Sequence, residues 1–440
     1  MRSIDYMACG LLLVYVWRIQ DLFPILAKVQ FPILISLAAI ATWVMGGSAA
    51  AAQDRYKHPV IKAALFILLW SILSVPGSIY QGMSFSFVFN NHIKTILMML
   101  VVIASVRGFP DVERLALAHI VGASIYCLKI LTTFQIGADG RLGDLFFYDS
   151  NDLAMLIAAT LPFTVYFVAR GTRSVHRLVA LGAAALLLFA IVKTGSRGGF
   201  LALIGVGLFL LFGFRAIRTH VRIGALIGGF AALMVVAGPR YWQMMGTILH
   251  PEEDYNWVGN NDVGRMAIWK RGIGYMEHHP LFGVGANAFP VAEGTISPLA
   301  ARQKMGIGLK WSAAHNSFVQ VGAELGIPGL LGFIVMLWGI MKSNLSVAGD
   351  AARRGVWTDE ASMAQALIGS LVGYMVGGFF VSQGYSAFLY TLCAMAVALS
   401  TTTRGPRQRA PSLSRLKRRQ PSIQNWAGTA DSRAPAQPSG

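Results

Sequence analysis

Several short stretches place reactive side chains at the margins of apolar sequence. In "AHNSF" (314–318), His315 and Asn316 stand just ahead of an apolar run that also contains Glu324. An imidazole can accept a proton near neutral pH, although a histidine there could equally cap a helix or sit at a membrane interface. Asn316 with Ser317 is an ordinary N-cap pair. In "KTGSRGGFLAL" (193–203), Lys193 and Arg197 bracket a tight glycine-containing turn between two apolar runs. An arginine in that position either snorkels to headgroups or clamps phosphate oxygens with its planar fork. "FYDSNDLAM" (147–155) opens another run with Ser150, Asn151 and Asp152, which supply a ready N-cap, Asp152 being also a possible substrate contact. The adjacent histidines of "HHPLFGVGANAF" (278–289) have no third ligand at a recognisable spacing, and no strand precedes the glycines, so neither a metal site nor a dinucleotide loop is expected.

The elements that must position these groups are helical spans. The 440 residues are 55% hydrophobic and only 13% charged, with a mean hydropathy of +0.55, against roughly a quarter charged in a soluble domain. Apolar runs near the ~20 residues needed to cross a bilayer recur along the chain, without the alternation of barrel strands. The fold class is therefore all-α, a polytopic transmembrane bundle of about twelve spans. They run roughly over 6–19, 31–47, 61–79, 92–106, 113–134, 152–169, 178–193, 198–214, 221–237, 316–341, 362–380 and 384–401.

This divides the chain into helices one to nine (1–237), a long loop (238–315), helices ten to twelve (316–401) and a basic tail (402–440) with the composition of a disordered segment resting on anionic lipid. The net charge of +17 is spread over loops and tail with no basic stripe carrying interleaved aromatics, so nucleic acid is not an expected partner. Cys9, Cys127 and Cys393 fall far apart within spans and read as small core residues.

Lys and Arg placement puts both termini in the cytoplasm. The 238–315 loop then lies outside, together with His315, Arg197 and Lys193. Within it, "NNDVGRMAIWKRGIGYMEHHP" predicts a helix capped by Asn261 or Asp262 and ended before Pro280. Met266, Trp269, Ile273 and Met276 form one narrow stripe. Arg265 flanks that stripe and can look inward, whereas Arg271 points away, toward water. Pro328 disfavours helix at Ile327, so a short entering helix should break at "GIPG" and leave Glu324 in a structural role near the interface.

Taken together, "TGSRGGFLAL" (194–203), "GRMAIWKRGIGYMEHHPLFGVGANAF" (264–289) and "AHNSFVQVGAELGIPGLLGF" (314–333) resemble the O-antigen ligase and polymerase family of bacterial inner-membrane proteins, with "VWRIQDLFPIL" (16–26) and "DSNDLA" (149–154) in support. The resemblance implies a GT-C-like glycosyltransferase of the cell inner membrane. It would take a glycan from an undecaprenyl diphosphate carrier at the periplasmic face and pass it to an acceptor hydroxyl. That acceptor is a lipid A core sugar for a ligase, a second carrier-linked unit for a polymerase, and Ser or Thr of a protein in a related branch. It further implies His315 as the essential histidine, Arg197 and Arg265 as the diphosphate-binding arginines, and Asn316, Lys193 and Asp152 as possible substrate contacts. Ser150 stands where the family often has proline.

The chemistry suits these residues. A diphosphate leaves readily, the acceptor hydroxyl needs a base, and guanidinium groups steady the charge that develops on the leaving group. No cofactor is implied, and direct attack would invert the anomeric centre without a metal. The rival class, a lipid-linked glycan transporter, would show related halves and midplane polar groups. Here the halves look unrelated and the polar landmarks gather at one face, with only His119 and Lys129 of the fifth span out of place.

Overall fold

A computed structural model describes residues 3–45, 52–133, 141–142, 147–170, 174–250, 264–300 and 311–403. Every regular element among them is helical. The first half holds α1 (Ser3–Tyr15), α2 (Ile19–Leu22), α3 (Pro24–Lys28), α4 (Phe31–Met45), α5 (Gln53–Tyr56), α6 (Pro59–Ser74), α7 (Gln81–Phe87), a π-helical turn (Val88–His92), α8 (Ile93–Ser105) and α9 (Phe109–Thr133). Then follow α10 (Ser150–Arg170), α11 (Ser174–Thr194), α12 (Arg197–Phe212), α13 (Thr219–Val236), α14 (Pro239–Gly246), α15 (Arg265–His278) and α16 (Phe289–Thr295). The last three are α17 (Ser317–Arg353), α18 (Asp359–Gly378) and α19 (Ala387–Thr403). Among the described residues, seven helices are long and apolar enough to cross a membrane, and five shorter apolar helices stand at the remaining positions where spans are expected. The helix expected at 92–106 is instead one continuous stretch from Gln81 to Ser105, because the π turn carries it through "FNNH" without a stop. The tail beyond Thr403 lies outside the described residues.

Side-chain caps set several of the helix starts. Ser196 accepts the Gly199 N–H at 3.1 Å to open α12, and Thr358 accepts from Ala361 to open α18, with Asp359 and Glu360 in its first turn favouring the positive end of the helix dipole. Asp149, one residue earlier than expected, caps α10. Its Oδ1 accepts the Asn151 and Asp152 N–H groups at 2.7 and 2.8 Å, and Asp152 Oδ2 accepts the Asp149 N–H in return. A carboxylate with two free lone-pair directions serves that reciprocal box better than the Ser150 hydroxyl, which donates to Leu142 O instead.

The core of the bundle is α10 against α18, with α12 and α19 beside them. Small residues allow this approach. A Cβ on Gly373 would lie 3.0 Å from the Ala159 backbone, and one on Gly377 would lie 2.5 Å from Met155 Cγ. Helix association in lipid depends on such close van der Waals contact. In contrast, α13 buries almost none of its apolar length and lies at the periphery. The awkward His119 sits in this core, fully buried, its Nε2 3.2 Å from Thr391 Oγ1 and its ring stacked on Phe163. Lys129 lies 6.0 Å from the Phe23 ring centroid at the other margin of the same helix.

The expected break in α17 falls at Gly326, whose φ of 70° and ψ of −170° interrupt the helix ahead of Pro328. The backbone groups freed there pair with the segment 280–285. Val284 N–H donates to Ala323 O at 2.8 Å, Gly285 N–H to Glu324 O at 3.1 Å, and Ile327 N–H to Pro280 O at 2.8 Å. Only glycine fits at Gly283, with φ +63° and the Glu324 carbonyl carbon 2.3 Å from where a Cβ would stand. Glu324 is fully buried. Its carboxylate accepts the N–H groups of Asn287 (3.0 Å) and Phe289 (3.3 Å), bracketing the start of α16. That supplies a structural role, as expected, but inside the protein instead of at its interface.

Candidate active site

The ends of α10, α11, α12, α17, α18 and α19 that carry the sequence landmarks meet at one end of the bundle. They close around the connection 379–386, "FFVSQGYS", between α18 and α19. His315 precedes the Asn316 N-cap with φ 48°, a left-handed conformation uncommon for a residue with a Cβ. It is held there on both sides. Ser382 Oγ accepts the His315 N–H at 2.8 Å, and the Trp269 indole donates to Ala314 O at 3.0 Å. Asn316 acts as the helix cap, its Oδ1 accepting the Phe318 and Val319 N–H groups at 2.9 and 3.1 Å, so its side chain is committed to α17.

Arg197 and Arg265 each occupy the first position of a helix, after Ser196 and Gly264 respectively. A helix N-terminus already favours anions through its free N–H groups, and a half-buried guanidinium adds a full charge to that end. Arg197 donates from Nη1 to Thr247 Oγ1 at 2.7 Å. The next residue, Gly198, packs directly on Phe380, where a Cβ would lie 2.6 Å from that ring's own Cβ. Phe380 in turn lies 6.5 Å, centroid to centroid, from Trp269, one turn along α15 from Arg265. The connection 379–386 thus ties α12, α15 and the His315 segment together.

Asp152 joins the same connection, its Oδ1 accepting from Gln383 Nε2 at 2.9 Å. Gln383 is anchored by its N–H to Ser317 Oγ (3.0 Å) and its carbonyl to the Tyr374 hydroxyl (2.7 Å). Lys193 behaves differently, its ammonium lying 5.1 Å from Phe189 one turn back along its own helix. Asn151 accepts from both Ser196 Oγ (2.8 Å) and Arg141 Nη2 (3.0 Å), so α10 and α12 are locked at the turn that presents Arg197.

Arg271 corrects the sequence expectation. It does not face water but is buried, 10% exposed, against Glu293, which is 2% exposed. Its Nε lies 2.9 Å from Oε1 and its Nη2 2.5 Å from Oε2, a bidentate pair that the Tyr275 hydroxyl completes at 2.8 Å. Burial, reinforced by the Glu293 carboxylate, holds the Tyr275 hydroxyl far above the usual phenol range, so it stays a donor. A single-stripe reading of α15 misses this pair because α16 folds over the opposite face. The helix itself opens on Gly264, and the expected caps Asn261 and Asp262 lie outside the described residues. Glu293→Ala removes the carboxylate that Arg271 grips with both nitrogens, and is expected to destabilise this outer region by roughly 3–5 kcal/mol, read as a fall in the unfolding temperature of the detergent-solubilised protein.

The sequence reading passed over Ser382, Gln383 and the turn that holds them. The only signal was a polar interruption, "SQGYS", between two apolar runs, which also fits an ordinary span boundary.

These elements define a polytopic helical membrane protein in which the segments bearing Arg197, Arg265 and His315 gather at one end of the bundle. Residues 182–334 match the Wzy_C family model, described as O-antigen ligase, and over that segment the chain is similar to that family. The matched segment takes in Arg197, Arg265 and His315. It supports glycan transfer of the ligase or polymerase kind. No curated protein matches the chain.

Proposed function

We propose that the protein moves a glycan from undecaprenyl diphosphate to an acceptor sugar hydroxyl, the lipid A core, at the periplasmic face of the bacterial inner membrane. Both termini lie in the cytoplasm, and the bundle crosses twelve times in a GT-C-like arrangement. The His315 imidazole takes the proton of the acceptor hydroxyl as that oxygen attacks the anomeric carbon. The bond from that carbon to the diphosphate oxygen breaks on the opposite side, which inverts the centre. Arg197 and Arg265 bind the diphosphate as it gains charge, and no metal takes part. Guanidinium groups fixed in a partly shielded site stabilise such charge without reorganising. Asp152, through Gln383, and Asn316, through α17, act as positioning residues.

One observation carries the reading. The segments bearing Arg197, Arg265 and His315, far apart in sequence, are joined through Phe380, Trp269 and Ser382. The test is deletion of the gene read on a lipopolysaccharide gel. Core lacking polymer is the expected result. Core bearing a single repeat would assign the same chemistry to a polymerase, and an unchanged gel would move the acceptor to another exported glycan or a protein.

A further inference from the structure

We infer that a cavity on the far side of the 379–386 connection is a separate lipid site, which seats the phosphate-bearing glycolipid acceptor with its phosphate against Lys94 and Arg18. The identity of the occupant rests on the function proposed above, whereas the site itself does not.

The cavity holds about 820 Å³ and is walled by α1, α4, the π turn, α8 and the α18–α19 connection. Neither Arg197, Arg265 nor His315 lines it, yet Ser382 and Gln383 do, so it opens directly behind the backbone that holds the histidine. The connection therefore has two faces. Phe380 meets Gly198 and Trp269 on one, and Ser382 to Ser386 border the cavity on the other.

The wall contains two cations, Arg18 and Lys94, and no carboxylate. Arg18 pairs with Asp21 and stands 3.8 Å over the Phe147 ring. Lys94 is exposed into the cavity from within the apolar stretch Gln81–Ser105, and no acidic partner for it appears among the described residues. An ionisable group placed there without a counter-ion calls for an anion. The π turn just before it sets Asn90 and Asn91 on the same wall, and π turns recur at functional positions. Tyr385 is buried on the same wall, beside Glu324. Two of the four left-handed non-glycine residues in the described chain, Arg18 and Asn287, line this cavity, and a third is His315.

The opposite half of the wall is apolar and reaches the bilayer side. Ile33 and Leu37 of α4 line it while remaining 53% and 61% exposed. Cations at one end and open hydrocarbon surface at the other fit an anionic amphiphile. In-line displacement then decides which one. The nucleophile must approach the anomeric carbon opposite to the leaving diphosphate. With the segments that bear Arg197 and Arg265 packed on Phe380 at one face of the connection, the acceptor belongs on the other.

The test uses full-length protein in detergent, with native mass spectrometry reporting retained lipid. Probes are diphosphorylated lipid A, undecaprenyl diphosphate and phosphatidylglycerol. Lys94→Ala is expected to weaken lipid A retention about tenfold or more, the loss of one charge-assisted contact, and Lys94→Arg to restore it. Retention of undecaprenyl diphosphate should stay unchanged. Equal lipid A retention in Lys94→Ala would overturn the site. A loss confined to undecaprenyl diphosphate, or an equal loss of phosphatidylglycerol, would overturn the acceptor assignment. Lys94-dependent lipid A binding by a protein with no transfer activity would leave the site standing and remove the proposed function.

Discussion

His315→Ala is expected to lower glycan transfer in a reconstituted assay by roughly 10²–10⁴-fold, the usual contribution of a positioned base, without loss of folded protein. The backbone at 315 is fixed by Ser382 and, through Ala314, by Trp269, and neither bond uses the imidazole. Alanine keeps those bonds. It does sit less comfortably at φ 48°, by about 1–2 kcal/mol for a residue with an ordinary Cβ. His315→Asn, which tolerates that conformation, separates the two effects. If strain were the cause of the loss, asparagine would restore transfer; if the base is the cause, both variants stay inactive, and the asparagine variant does so with an unchanged unfolding temperature. The wild-type rate should fall as pH drops, because a protonated imidazole cannot accept a proton, and the residual rate of either variant should lack that acid limb. Wild-type transfer by His315→Ala would remove the base assignment.

Arg197→Ala and Arg265→Ala should each cost about 10²–10³-fold in kcat/KM, the magnitude seen when one preorganised donor to a developing anion is removed. The two losses should be far from additive in the double variant, since groups acting on one diphosphate work as a unit. Lysine at either position keeps the charge but forfeits the bidentate fork, so Arg197→Lys should recover only part of the rate. Thr247→Val is the informative control. Arg197 donates to Thr247, so a purely structural arginine would make Thr247→Val as damaging as Arg197→Ala. A substrate-binding arginine would leave Thr247→Val close to wild type. Donor KM measured at saturating acceptor reads the difference.

The helices, the Asn316 cap and the interruption before Pro328 were legible because each rests on local rules: apolar run length, an N-cap side chain, and a glycine–proline punctuation. Arg271 was not. Its fate depends on Glu293, 22 residues away on a helix that folds across the face a single-helix wheel assigns to water. The start of α10 was missed by one residue because Ser150, Asn151 and Asp152 are all good caps, and the choice of Asp149 depends on the reciprocal bond from Asp152. Ser382 and Gln383 gave no distinctive signal, since serine and glutamine at a helix boundary are ordinary. Their importance comes from contacts made 66 to 231 positions away along the chain. Lys94 could have been noticed as a lone charge in an apolar stretch, but only the cavity gives it a counterpart.

The clasp between 280–285 and the broken end of α17 has a mechanical consequence. Sliding the outer helices past the span would rupture several backbone pairs at once, at residues buried inside the protein. Arg265 and His315 are therefore carried by one stiff frame, whose spacing is established when the chain is inserted and not when a sugar arrives. Discrimination between substrates then falls to the openings around that frame, and variants that alter glycan choice should map to those rims while leaving the frame intact.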